Sequence, residues 1–405
     1  MKQFNYLTHE EKEQLFFSPP IDFDNHTEKD MLAHAIGAAL YMPATRETIA
    51  EDIRTRKHEG LVSIVIDLED AVGDLQIELA EETLIQQLDR IEYFVHTGEL
   101  ALDHIPLLFI RVRSVEQLKR MISQMEETRS FVTGFVLPKF TEENGWAYFH
   151  EIALYNKHKA ASASVLYGLP ILESASVIYR ESRVQSLMSI KKILETYREY
   201  VLNVRIGATD FSSLFGLRRS PDSTIYDIAP IRDCLADIIN IFGRFDSGYV
   251  ISGPVWEYFS NRERVLKPQL RLTPFEEALG KTGRDLRTKY ITNTLDGLIR
   301  EVILDKENGI IGKTIIHPTH IKPVQALYAV THEEYVDAMS IIVNNDGFRG
   351  VMKSEYANKM NEIKPHLNWA NRILFRSKIY GVLHEHQHFI GLLPEHAHTY
   401  VSYSG

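Results

Sequence analysis

Charged residues gather in this chain at the points where short apolar runs stop. Leu61-Val-Ser-Ile-Val-Ile66 runs into Asp67-Leu-Glu-Asp70, Leu107-Leu-Phe-Ile110 into Arg111-Val-Arg113, and Phe135-Val-Leu137 into Pro138-Lys139. Leu169-Pro-Ile-Leu172 ends at Glu173-Ser174, and Val204-Arg-Ile-Gly207 leads to Asp210. Carboxylates such as Glu173 and Asp210 suit a hard divalent cation, Mg2+ or Mn2+, with waters and substrate oxygens completing its shell. Crowded carboxylates such as Glu69 and Asp70 raise one another's proton affinity, which poises one of them for proton transfer. Lys139 can neutralise buried carboxylates. A Schiff-base role would need it desolvated on a substrate carbonyl, and beside a metal pair we disfavour that chemistry.

These residues need a scaffold that brings strand ends together. Short apolar runs bounded by turn signals read as buried parallel strands, and parallel α/β barrels carry their chemistry at the C-terminal strand ends. Such runs lie near 38–42, 61–67, 106–112, 133–138, 165–172, 201–207, 247–253 and 311–316. Helical spacing separates them, as in Leu84, Ile85, Leu88, Ile91 and Val95, or Leu187, Ile190, Ile193, Leu194 and Tyr197. The alternation predicts a (β/α)8 TIM barrel over 37–325. A polar N-terminal extension over 1–36, broken at Ser18-Pro-Pro20, precedes it. A helical C-terminal extension over 326–405 follows, in which Leu367, Ala370, Ile373 and Leu374 present an apolar face. The tail is histidine-rich (His384, His386, His388, His396, His398) and reads as polar and solvent-exposed.

Composition narrows the class further. A chain of 405 residues with 44% hydrophobic and 25% charged residues is ordinary for a globular protein. A formal net charge of −10 argues against a nucleic-acid-binding surface. The single cysteine, Cys234, has no intramolecular disulfide partner and sits in an apolar-periodic stretch, so it reads as an inert core residue in a cytoplasmic protein. The apolar segment Met31–Met42 is too short for a membrane span, contains His34 and follows acidic residues, so no membrane association is expected.

Taken in order, the strand-end motifs resemble the citrate lyase β-subunit superfamily, which includes malyl-CoA lyases and related aldolases. Tyr41-Met-Pro-Ala-Thr-Arg46, Ile66-Asp-Leu-Glu-Asp-Ala-Val72, Arg111-Val-Arg113, Leu137-Pro-Lys139, Leu172-Glu-Ser174, Gly207-Ala-Thr-Asp210 and Ile316-His-Pro318 carry the resemblance. Gly216-Leu-Arg-Arg-Ser-Pro-Asp222, Gly253-Pro-Val-Trp-Glu-Tyr-Phe259 and Asn358–His366 look most like the C–C bond lyase branch associated with tellurite-resistance gene clusters. One departure is Thr45, where relatives usually carry Asp or Ser before the arginine.

The resemblance implies an enolate-forming cleavage or condensation of a carbon–carbon bond. Glu173 and Asp210 match the family's metal ligands, Arg113 its enolate-stabilising arginine, and Glu69 and Asp70 its acidic pair, with Asp70 favoured for proton transfer or contact with a metal-bound water. Arg46 matches an early arginine that would contact a carboxylate, phosphate or thioester cofactor, and Lys139 matches a family lysine. Arg218 and Arg219 could bind substrate in the same manner. Arg111 is assigned the structural task of pairing with a surrounding helix, on the view that it and Arg113 point to opposite sides. His317 is read as lining the pocket.

The chain is therefore expected to be a Mg2+-dependent C–C bond lyase on a small carboxylated or acyl-CoA substrate. It is also expected to be a homo-oligomer, in which residues after about 330 approach an active-site mouth. The alternatives are an acyl-CoA thioester hydrolase on the same barrel and a non-catalytic metabolite-binding subunit.

Overall fold

The computed structural model describes residues 1–125, 129–259, 280 and 295–393. Its contacts divide the chain into two compact units. The first holds Met1, Phe23–Tyr258 and Arg300–Ile321; the second holds Lys2–Asp22 and the chain from Lys322 onward, together with the intervening Phe259–Ile299.

The first unit is built on eight parallel strands: β1 (Ala38–Pro43), β2 (Ser63–Asp67), β3 (Leu107–Arg111), β4 (Val132–Leu137), β5 (Tyr167–Leu172), β6 (Val204–Ile206), β7 (Ile251–Ser252) and β8 (Lys313–Ile315). They pair in chain order from β1 to β7, and β8 pairs β1 on its other side. A parallel bridge between Gly253 and Lys313 joins the two remaining edges, which closes the barrel. The eight expected apolar runs are these eight strands. Every residue of β2, β3, β4 and β5 is buried, as expected of strands covered on both faces.

The covering helices bury one stripe each. Ile77–His96 buries Leu84, Leu88, Ile91 and Phe94, and Arg183–Thr196 buries Leu187, Ile190, Ile193 and Leu194. Ala229–Phe242 starts on a proline in its first turn, which suits a position with no helical N–H partner, and buries Ile231, Cys234, Leu235, Ile238 and Phe242. The Cys234 thiol is wholly buried, and burial pushes it up to about 12, as an inert core cysteine requires. No helix among the described residues is long and apolar enough to cross a membrane.

In the second unit, helices His332–Val343 and Ile363–Tyr380 flank a hairpin of Val351–Lys353 with Met360–Glu362, and Phe16–Ser18 pairs antiparallel with Val382–Leu383. Strands in this region were not expected from the sequence. Ala370 and Ile373 pack with Val330, Ala338 and Ile341, and Leu367 and Leu374 close over them. The apolar face expected on this helix is thus covered inside its own unit. In the tail, His384 Nε2 lies 3.1 Å from the Glu13 carbonyl, and His396 and His398 lie outside the described residues.

Candidate active site

Five consecutive strands, β2 to β6 with the turn after each, deliver charged side chains to one end of the barrel.

Asp67, the last residue of β2, sits in register with Arg111, the last residue of β3, and in-register parallel partners present their side chains on the same side. Arg111 grips Asp67 with a two-pronged bond, Nε to Oδ1 and Nη2 to Oδ2, each 2.6 Å. Asp67 also accepts the Glu69 N–H at 2.9 Å and the Ala71 N–H at 3.2 Å, so it folds the chain after β2 back over the site. Arg111 Nη1 then reaches Glu69 at 3.0 Å and Asp70 at 3.1 Å, and the guanidinium lies 5.3 Å from the centre of the Tyr41 ring.

Lys139 follows β4 in the left-handed region, at φ 45°, a conformation that costs a non-glycine residue energy and needs support. The support is visible. Its N–H donates to Glu173 Oε1 at 2.7 Å, its carbonyl accepts from Asn144 Nδ2 at 3.0 Å, and its ammonium pairs with Glu69. Glu173, just past β5, is 4% exposed. It stands against Gly207, where a Cβ would come within 2.1 Å of Glu173 Oε2, so only glycine leaves room for this carboxyl. Asp210 lies one turn into the short helix Ala208–Ser213 and meets Glu173 through a side-chain hydrogen bond.

The electrostatics separate these acids. Burial, with Asp210 adding to it, pushes Glu173 up to about 8. Asp210 is raised by burial and by Asp70, against the pull of Lys139. Burial also raises Glu69, with Arg111 opposing and Asp70 adding. Asp70 goes the other way: burial works against it, but its contact with Glu69 and the charges of Arg111 and Lys139 hold it low. The first pair is therefore split in proton affinity, Glu69 raised and Asp70 lowered. The other pair keeps a proton that a bound cation would displace.

Of the residues singled out in the sequence, the structure brings Glu69, Asp70, Lys139, Glu173 and Asp210 together. Arg113 stands beside them, on the backbone of the acidic loop rather than on its carboxylates. Its Nε donates to the Leu68 carbonyl at 2.7 Å and its Nη2 to the carbonyls of Glu69 (3.0 Å) and Val72, while Nη1 pairs with Asp74 at 2.8 Å. It braces the loop that carries Glu69 and Asp70. Arg111 is not paired with a surrounding helix, and that expectation is corrected. Residues i and i+2 of a strand face the same way, so alternation does not separate the two arginines. What separates them is that β3 ends at Arg111.

Arg46 pairs with Asp52 at 2.6 Å and Thr48 at 3.1 Å, on and beside the helix Ile49–Arg54. Arg219 is buried against Glu301, the Val255 carbonyl and the Trp256 ring. Arg218 lines a half-open cavity of about 300 Å³ with Thr209, Ser212, Ser213 and Glu257, on the helix that carries Asp210. His317 Nδ1 lies 2.8 Å from the Thr319 hydroxyl. Gly207 went unremarked in the sequence as a spacer, and its place directly before Ala208-Thr-Asp210 gives no signal without the carboxyl opposite.

A closed barrel with acids and cations on its C-terminal strand ends defines an enzyme of the TIM-barrel class. The chain belongs to the family of C–C bond lyases of the TIM-barrel fold, whose family model matches residues 30–382, and the protein is accordingly a C–C bond lyase. Among solved structures, a citrate lyase from Burkholderia xenovorans LB400 is similar at 14% identity over 88% of this chain and 96% of its own, with a TM-score of 0.56, and this likeness bears on the fold. The CitE protein of Mycobacterium tuberculosis, solved with magnesium, acetoacetate and coenzyme A, is similar at 17% identity over 85% of this chain and 99% of its own, with a TM-score of 0.49. RipC of Yersinia pestis is similar at 16% identity over 74% and 97%, with a TM-score of 0.42. No curated protein matches the chain in sequence.

Proposed function

We propose that the protein is a divalent-cation-dependent lyase that cleaves, or in reverse forms, a carbon–carbon bond beside a carbonyl in a small carboxylated substrate or its acyl thioester. The observation that carries this reading is the Glu173–Asp210 pair. A buried carboxyl held up to about 8 beside a second carboxyl is a site that lacks positive charge. The donor set fits Mg2+ or Mn2+: two hard oxygen ligands, one from each carboxyl. Among the described residues no group of three or more acidic, histidine or cysteine side chains is arranged to hold a metal. Mg2+ asks for no more than one or two protein carboxylates and takes its remaining ligands from water and substrate.

When bound, the cation supplies Lewis-acid stabilisation of negative charge on the substrate carbonyl oxygen. The chain's own residues divide the rest of the work. Asp70, ionised, takes the proton from the substrate's β-hydroxyl, and the bond to the neighbouring carbon breaks as the new carbonyl forms. The electron pair becomes an enolate, and Glu69, whose proton affinity burial raises, stands beside Asp70 to pass a proton to the enolate carbon. Lys139 spans the two acids, 3.8 Å from Asp70 and bonded to Glu69. Arg111 fixes the acidic loop through Asp67 and keeps a positive charge at the oxygen end of the substrate. The cavity beside Arg218 offers room for the part of the substrate that does not react. A buried, unpaired cysteine suits the reducing cytoplasm.

Calorimetric titration of Mg2+ into wild type, Glu173→Ala and Asp210→Ala tests the assignment. Binding is expected in wild type and lost in both variants, and unchanged affinity in both would sink it. Screening oxo acids and acyl-CoA esters for Mg2+-dependent turnover then identifies the substrate.

A further inference from the structure

The reaction described above makes no use of Arg205, and its surroundings are unlike those of the other buried arginines of the barrel unit. Arg111 faces Asp67, Arg183 faces Asp233 and Asp237, and Arg219 faces Glu301. Arg205, from β6, is 1% exposed and has no carboxylate partner among the described residues. Its Nη2 donates to the Thr314 hydroxyl at 2.6 Å, while Nε and Nη1 find no partner among the described residues. Its guanidinium lies 5.7 Å from the centre of the Tyr41 ring, the same ring that carries Arg111. Thr314 lies on β8 and Tyr41 on β1, both beyond β7 from Arg205, so these contacts are made across the barrel lumen.

A buried guanidinium with unfilled donors and no counter-charge is costly. Tyr41 and Thr314, the two side chains that meet this guanidinium, are half-buried and so lie nearer to solvent than Arg205 itself. We propose that Arg205 and the Thr314 hydroxyl form the seat of a substrate carboxylate, deeper in the barrel than the acid cluster. Arg205 is in register with Ile171, two residues before Glu173, which sets its backbone about 7 Å along the strand from the Glu173 level. A short chain with a carboxylate at one end and the reacting carbonyl at the other spans that interval. The inference rests on the lyase reading of the same site and narrows its substrate to one carrying a carboxylate remote from the cleaved bond.

The test uses succinate and glutarate as probes, with EDTA present and sodium chloride at matched ionic strength as the reference, on the full chain. At least one dicarboxylate is expected to raise the melting midpoint of wild type above the chloride control. Arg205→Met should weaken that binding by about 30-fold or more, as truncating one partner of a buried charged pair does. Thr314→Val should weaken it less. With no anion added, Arg205→Met should melt higher than wild type, because an uncompensated charge has gone. If Arg205→Met does not fold, Arg205→Lys and Thr314→Val carry the comparison, both binding more weakly than wild type. No shift with either dicarboxylate in wild type, equal shifts in wild type and the variants, or a lower ligand-free midpoint for a folded Arg205→Met would overturn the proposal. Glu173→Gln separates the two readings. It should keep the dicarboxylate shift while losing the Mg2+ shift, so either can fail without the other.

Discussion

Replacing Glu173 by glutamine measures the two-acid pair without any assay of turnover. In the metal-free protein, burial and Asp210 hold the Glu173 proton up to about 8, whereas an unfolded chain releases a glutamate proton near about 4.3. Across that window the unfolded state binds fewer protons than the folded state, so stability falls as pH rises. Each pH unit is worth up to about 1.4 kcal/mol, which makes the penalty on the order of 3 kcal/mol by neutral pH. Glutamine removes the titration and keeps the shape. Its Oε1 still accepts the Lys139 N–H and its Nε2 donates to Asp210. The variant should therefore be more stable than wild type near neutral pH in EDTA, by a margin that grows with pH.

Mg2+ should invert the order. A cation bound to the folded state stabilises wild type by about 2.7 kcal/mol at a hundredfold excess over its Kd, and the glutamine variant gains little. Urea unfolding followed by tryptophan fluorescence reads both effects, since Trp146 and Trp256 lie in the barrel unit. Parallel pH dependence of the two proteins in EDTA would mean that Glu173 is not held protonated. Equal stabilisation of both by Mg2+ would remove it from the metal seat.

Arg111→Lys should cut turnover by about 10²-fold or more, because one ammonium does not reproduce the fork on Asp67; Arg113→Lys should lower stability more than rate, and equal rate losses would return Arg113 to the reacting centre. Gly207→Ala should abolish Mg2+ binding by calorimetry with the circular dichroism spectrum preserved, since the added methyl displaces the Glu173 carboxyl; retained affinity would show that the carboxyl has room elsewhere. Lys139→Met removes a charge that holds down both Glu69 and Asp70, so both limbs of the pH–rate profile should move to higher pH, and an unmoved profile would exclude the lysine from setting either acid.

The barrel was legible because burial on both faces leaves a continuous apolar run, and eight such runs alternating with helical spacing admit few other folds. Short strands such as Val204–Ile206 and Ile251–Ser252 were still visible because the flanking apolar residues extend the run on either side. The hairpin at Val351–Lys353 and Met360–Glu362 was not. Its strands are three residues each and largely exposed, so no buried face imprints a period on the sequence. The cover over Leu367 and Ala370 was also hidden, because an amphipathic stripe shows that a face is buried without showing by what.

In the site, residue types and strand ends were readable, and side-chain direction was not. Lys139 could be seen to follow a strand, yet its left-handed backbone aims its amide at Glu173 and its ammonium at Glu69, and nothing local in Pro138-Lys139 announces that turn. Arg111 and Arg113 show the same limit. Both arginines stand beside the acidic loop, and the choice between them depends on where β3 stops: at Arg111, in register with Asp67, with Arg113 already in the turn. A strand end is the least certain boundary to place from sequence, and in a parallel barrel it is where the chemistry sits. Which arginine grips the acidic loop is then fixed by register across strands, Asp67 against Arg111, a relation that no spacing within one strand contains.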